Sequence, residues 1–198
     1  DNRLRINLAA FVAEYADGQR TVVTEIGGVP SPTTTNAAQA TVPGFELEIS
    51  ALPMDNLEIG GSLGLLSPEY DEFNDPLRGD RSGENFTYTA EMTYNLYATY
   101  HQPLSFGELT WHVDYAYKDD IYYDVANPAL DVQPGYGILN ARVALDLDAQ
   151  DVTFALYGRN LGDTEYNAFI LDIYGPFGYN LAYRGTPMTW GAELSYRF

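Results

Sequence analysis

From Arg184 to Phe198 apolar and polar positions alternate strictly. Met188, Trp190, Ala192, Leu194, Tyr196 and Phe198 share one face of an extended strand, and Thr189, Gly191, Glu193, Ser195 and Arg197 share the other. An apolar face ending in an aromatic, set against a small, polar and charged face, is what a strand between lipid and a wet lumen requires. The same pattern predicts seven earlier strands. Residues 3–15 carry Leu4, Ile6, Leu8, Ala10 and Val12 on one face. Residues 44–52 carry Phe45, Leu47, Ile49 and Ala51 opposite Glu46, Glu48 and Ser50. Residues 57–66, 93–101, 108–118, 136–147 and 152–161 follow in the same style, and the eighth strand runs to Phe198.

The predicted connections alternate in length. The tight turns PMDN (53–56), QPLSFG (102–107) and DAQD (148–151) follow the second, fourth and sixth strands. Long segments follow the odd ones: a Gly-, Pro- and Thr-rich polar stretch through Thr35, an acidic loop from Ser67 to about Met92 without usable periodicity, residues 119–135, and a final Tyr- and Gly-rich segment. Short turns at one end and long loops at the other describe an outer-membrane barrel, and an even strand count places Phe198 at the short-turn, periplasmic end. Turning Glu46, Glu48, Asp114 or Arg142 toward lipid would be costly near the midplane, about 2–4 kcal/mol for Arg and less for an acid, so the phase of each strand is fixed. A soluble sandwich also alternates. Charges confined to one face at mid-strand, with Trp and Tyr gathered near strand ends, favour the barrel.

Composition changes the picture little. The 198 residues include 17 Tyr and no Cys, with 10 basic against 28 acidic side chains for a net charge of −18. Such acidity excludes nucleic acid as a partner. The absence of Cys excludes a disulfide framework and thiolate metal sites. No run approaches the roughly 18 apolar residues of a membrane helix, and a mean hydropathy of −0.24 suits strands that send every second residue to lipid. Asp1 leads straight into LRINLAAFVAEY with no signal-peptide pattern, so the expectation is a processed chain or, preferably, part of a longer one.

Four patches resemble the carboxy-terminal barrel of TonB-dependent receptors: PGFELEIS (43–50), QPGYGILNARVAL (133–145), GRNLGDTEY (158–166) and RGTPMTWGAELSYRF (184–198). The family's closing pattern is matched by Asn160, Leu161, Asp163 and Tyr166, then Gly185, Thr186 and Pro187, then Tyr196, Arg197 and Phe198. It departs at Met188, where the family usually has Arg. The resemblance implies an all-β antiparallel transmembrane barrel of about 22 strands, of which residues 1–198 are the last eight or so, without plug domain or signal peptide. It implies no enzyme. It implies an outer-membrane receptor of a Gram-negative cell, energised by TonB through the plug, that takes up a scarce nutrient, a ferric siderophore or other iron chelate foremost, with haem, cobalamin and oligosaccharide receptors sharing the same barrel end. The competing expectation is a self-contained eight-stranded barrel with an adhesin or structural role.

Candidate chemistry is confined to binding. No nucleophile, base and orienting group can be assembled, and no cofactor or metal site is expected. His101 and His112 lack metal-site spacing, and His112 reads as a solvated partner of Asp114. The acids Asp71, Glu72, Asp75, Asp80 and Glu84 lack an EF-hand pattern and read as a solvated loop, with Ca²⁺ binding the sharper alternative. Tyrosine offers an apolar face and a hydroxyl to a planar chelate or a sugar. On that ground Tyr122, Tyr123 and Asp124, and Asp172, Tyr174 and Tyr183 with Phe177 and Tyr179 nearby, are the substrate-contact candidates. Asn160, Asp163, Gly158 and Gly162 read as structural. By resemblance, Trp190, Leu194, Tyr196 and Phe198 form the signal read by the barrel assembly machinery.

Overall fold

The computed structural model describes residues 3–75, 79–84, 86–124, 130–147, 149, 151–171, 173 and 178–198, with backbone alone at 20–25, 30, 32 and 35–37. The strands, in chain order, are β1 (Leu4–Ile26), β2 (Val29–Met54), β3 (Leu57–Leu66), β4 (Glu69–Asp75), β5 (Gly79–Asp80) and β6 (Met92–Leu104). Then come β7 (Gly107–Lys118), β8 (Ile121–Tyr122), β9 (Val132–Gln133) and β10 (Tyr136–Leu147). The last are β11 (Val152–Arg159), β12 (Asn167–Leu171), β13 (Leu181–Arg184) and β14 (Thr189–Tyr196).

Eight of these form one antiparallel meander in the order β1-β2-β3-β6-β7-β10-β11-β14. Each neighbours its successor, as short and long connections between antiparallel strands dictate. Among the described residues β1 pairs only with β2, and β14 pairs only with β11. No ladder joins residues 4–12 to 189–197, so the eight strands do not close into a small barrel.

Register confirms the phase read from alternation. One row crosses all eight strands through Leu4, Ala51, Ile59, Ala98, Val113, Ala141, Gly158 and Trp190. The next row on the opposite face runs Arg5, Ser50, Gly60, Tyr97, Asp114 and Asn140. Leu8 is 67% exposed and Trp190 81%, values incompatible with the packed inner face of a sandwich. The aromatics collect where an interface would lie. Tyr94 stacks on Tyr117 at 5.1 Å near the long-loop end, with Tyr115 beside them at 6.1 Å from Tyr94. Near the short-turn end Trp111 donates from its indole nitrogen to Gln102 at 3.3 Å.

Several boundaries differ from the pattern-based reading. The stretch through Thr35, expected as a connection, is strand: β1 and β2 pair as far as Ile26 and Val29. They turn at Gly27 and Gly28, whose φ values of +63° and +80° suit a two-residue mirror-image turn. The acidic loop contributes β4, which pairs with β2 at Ala38–Thr41, and β5. Residues 119–135 hold the β8–β9 pair, and the last long segment holds the β12–β13 pair. In consequence β14 begins at Thr189 rather than at Arg184. The seventh predicted strand ends at Arg159 because Asn160, at φ +49°, turns the chain out of extended conformation.

Among the described residues the buried apolar clusters sit at the long-connection end, one of them on β2 where β4 pairs with it, rather than along the meander's faces, because a single-layer sheet has no second layer to bury against. One cluster is Ala38, Ala40, Tyr70 and Phe73 with Phe86 against it; the other is Ile121, Tyr123 and Ile170 with Ala90 and Phe169.

Candidate functional site

The long-connection end is organised by the second of those clusters. The β8–β9 pair docks on the β12–β13 pair through Tyr123, which is 8% exposed and donates its hydroxyl to the carbonyl of Ala168 at 3.1 Å. The backbone nitrogen of Asn167 donates to Gln133 Oε1 at 2.6 Å, and Asn180 Nδ2 donates to the buried carboxylate of Asp131. The acidic loop joins them through Tyr88, whose backbone nitrogen donates to the Tyr122 carbonyl at 2.8 Å, and through a bridge between Thr87 and Tyr122. Three connections distant in sequence are thereby fastened into one surface. Burial, reinforced by the neighbouring Tyr88 phenol, raises the Tyr123 hydroxyl above its usual pKa of 10.0, so it stays a donor.

Of the candidate contact residues, Tyr122 is half-buried and serves the loop junction with its backbone, and Tyr123 is a support rather than a presented group. Asp124 is half-buried. Tyr183, on β13, is exposed and lies 6.0 Å from the Phe169 ring. Asp172, Tyr174 and Phe177 lie outside the described residues. Sequence reasoning passed over Tyr88, Phe169, Asp131 and Gln133. Periodicity could not flag them, since they sit in irregular or very short elements and come together only in three dimensions.

The polar face carries a continuous hydrogen-bonded band. Tyr97 donates to Glu58 at 2.8 Å and stacks on His112, with ring centres 6.4 Å apart. His112 Nδ1 lies 2.9 Å from the Thr99 hydroxyl, and its Nε2 lies 3.5 Å from Asp114. Asn140 Nδ2 donates to Asp114 at 2.7 Å, and Asn140 Oδ1 accepts from the backbone of Asn160 at 3.0 Å. Arg142 faces Glu193 at 3.6 Å.

Several acids of the 67–91 loop are engaged by the protein. Asp71 accepts from the Thr41 hydroxyl at 2.7 Å. Asp80 accepts from both the hydroxyl and the backbone nitrogen of Ser82, which holds its carboxyl below the usual value of 3.8. Among the described residues no group of three His, Cys, Asp or Glu side chains is placed to hold a metal ion. On the last strand Trp190, Leu194, Tyr196 and Phe198 are all strongly exposed, as are Leu4, Ile6 and Leu8 on β1, and the Tyr196 and Phe198 rings lie 6.4 Å apart.

Comparison with known proteins agrees with this arrangement. The family model for the β-barrel of TonB-dependent receptor-like proteins matches residues 1–161. Among solved structures, the ferric yersiniabactin uptake receptor FyuA of Yersinia pestis superposes with a TM-score of 0.80 at 16% identity, over 98% of this chain and 27% of its own. The siderophore receptor PiuA of Acinetobacter baumannii gives 0.71 at 21% identity, over 98% of this chain and 25% of its own. The copper transporter OprC gives 0.72 at 17% identity, over 100% of this chain and 29% of its own. The chain thus spans a little over a quarter of the length of such structures, and identities this low establish a shared fold.

Proposed function

The chain belongs to the TonB-dependent receptor β-barrel family, and on that premise we propose that it is the carboxy-terminal part of an outer-membrane receptor for energised uptake of an iron chelate, a ferric siderophore foremost. Residues 1–198 supply eight strands of a barrel of about 22. The plug domain, through which TonB acts, lies elsewhere in the whole protein. The observation that carries the reading is the eight-strand meander whose apolar row faces one way on every strand and whose connections alternate short and long. In this reading lipid covers the Leu4-to-Trp190 row, and the fastened long connections face the cell exterior. Tyr122, Tyr123, Asp124, Asp172, Tyr174 and Tyr183 then belong to the cargo side, Tyr123 as scaffold. The protein's task is binding and passage, with no catalysed reaction.

The names of similar proteins support the class of cargo: FyuA takes up ferric yersiniabactin, and PiuA is a siderophore receptor. OprC, named as a copper transporter, shows that the fold alone does not choose the metal. The test is uptake of radiolabelled iron, presented in a panel of siderophores, by cells with and without the full-length gene and with and without TonB. We expect uptake of at least one chelate to require both. Equal uptake with and without the gene for every chelate would overturn the reading.

A further inference from the structure

Beyond the meander β1 and β2 continue as a two-stranded ribbon whose two outer edges differ. The ribbon starts where the ladder slips between Tyr15 and Gln19, with Asp17 at φ +55°. At its tip the Gly27–Gly28 turn makes Ile26 and Val29 the closing hydrogen-bonded pair. In an antiparallel ladder, hydrogen-bonded and non-hydrogen-bonded pairs alternate. Ile26 with Val29, Thr24 with Ser31 and Val22 with Thr33 therefore bond inward, whereas Glu25 with Pro30 and Val23 with Pro32 turn their backbone groups outward. Thr21 and Gln19 continue the outward set on β1.

On β2 the outward positions next to the tip are both proline, which has no N–H to offer a further strand. Nearer the base, at Ala38–Thr41, the same edge is taken by β4. On β1 the outward positions Gln19, Thr21, Val23 and Glu25 all carry an N–H. Proline is a common guard of a sheet edge, and a two-stranded hairpin is marginal in water without a further strand. A ribbon guarded along one edge is built to be joined along the other.

We propose that the outer edge of β1 from Gln19 to Glu25 is the docking edge for an antiparallel strand, and that its occupant is the barrel strand that neighbours β1 in the full-length receptor, running on past the membrane beside the ribbon. This rests on the barrel reading above: residues 1–198 cover 27% of the FyuA chain, and the remainder of a closed barrel supplies β1 with a second neighbour. Alternate residues of β1 present N–H and C=O groups to such a strand, as addition to a sheet edge requires. The neighbour is already held along the lower part of β1, so its continuation pairs without the entropy of bringing two molecules together.

The test is amide hydrogen exchange, resolved to single residues, on the purified full-length receptor. Val22 and Thr24 report the ribbon itself, because their amides point at β2, and Thr21, Val23 and Glu25 report the edge. We expect the edge amides to exchange at least about 100-fold more slowly than in an unstructured chain, as the inner ones do. Val23→Pro removes an edge donor and leaves the bonds to β2 in place; it should speed exchange at Thr21 and Glu25 by about tenfold and leave Thr24 within about threefold of the parent. Edge amides exchanging at unstructured rates while Val22 and Thr24 stay slow would overturn the proposal, and fast exchange at all of them would overturn the ribbon with it. A photo-crosslinking residue at position 23 identifies the occupant. We expect a product within one chain, joined to a peptide from outside residues 1–198, and a product joining two receptors would overturn that occupant in favour of a second copy. A protected edge together with failed uptake in the experiment above would leave the docking edge standing and overturn the chelate-receptor reading.

Discussion

Asn160 is 3% exposed, and its side chain closes the seam between β11, the following turn and the entry to β14. It accepts from the Thr164 backbone nitrogen at 2.9 Å and donates to the carbonyls of Thr164 and Thr186 at 2.9 and 3.1 Å. Asp163 completes the clasp by accepting from the Met188 nitrogen at 2.9 Å. Both residues have positive φ, which Asn and Asp tolerate better than most. The contact uses the Met188 backbone, so replacement of the family's usual Arg there leaves the clasp intact. Asn160→Ala would remove the partner of the Thr164 and Thr186 carbonyls and of the Thr164 backbone nitrogen, and should lower stability by about 1–3 kcal/mol, read as a reduced unfolding temperature of the full-length barrel. Asn160→Asp should be worse, since it sets a carboxylate against those carbonyls. A second expectation concerns pH. Because the folded-state pKa of Asp80 is depressed by Ser82, its turn is held firmly above the ordinary carboxylate value of 3.8 and loosens as pH falls through the depressed one. Amide exchange at Ser82, corrected for intrinsic rate, should be flat from neutral to mildly acidic pH and rise below that value.

At the scale of elements, legibility followed the environment of each strand. The stretches 57–66 and 136–147 match β3 and β10 to the residue, because there one face meets apolar and the other polar surroundings, and that contrast is written into every second side chain. β1 and β2 overrun their predicted ends by many residues. A two-stranded ribbon standing in water has no apolar side, so its sequence need not alternate; only its β-branched Val and Thr and the Gly27–Gly28 pair signalled a hairpin. The aromatic surface was half legible. Its tyrosines stood out by type, but Tyr88 and Phe169 acquired meaning only when three loops were fastened together. Face assignment can be tested directly. Val113→Arg points a charge from the apolar row and should cost roughly 2–4 kcal/mol if the site lies near the midplane, whereas Ala116→Arg, three residues on and on the polar face, should cost far less. Yield of heat-resistant, folded full-length barrel in membrane fractions separates the two.

Among the described residues the eight-strand meander, part of a ten-stranded sheet, has β1 at one end and β14 at the other. An unpaired strand edge invites pairing by another chain, with alternate side chains supplying selectivity. Phe198 closes β14's apolar face and is fully exposed. In the full-length receptor, Phe198→Asp or deletion of Phe198 should slow insertion into the outer membrane in a pulse-labelling experiment, and Phe198→Tyr much less so. Unchanged kinetics with only a lower melting temperature would reduce Phe198 to an interfacial aromatic. The β1–β2 ribbon has another implication. β1 runs for 23 residues; under the outer-membrane reading proposed above about 9–11 of them suffice to cross the hydrocarbon, which at roughly 3.3 Å per residue along the strand puts the Gly27–Gly28 tip on the order of 40 Å past it. Neither buried cluster includes a residue of that tip. If the proposed receptor reading holds, a peptide epitope spliced between Gly27 and Gly28 of the full-length protein should be displayed on intact cells to a labelled antibody, turning the ribbon into a mast for surface labelling.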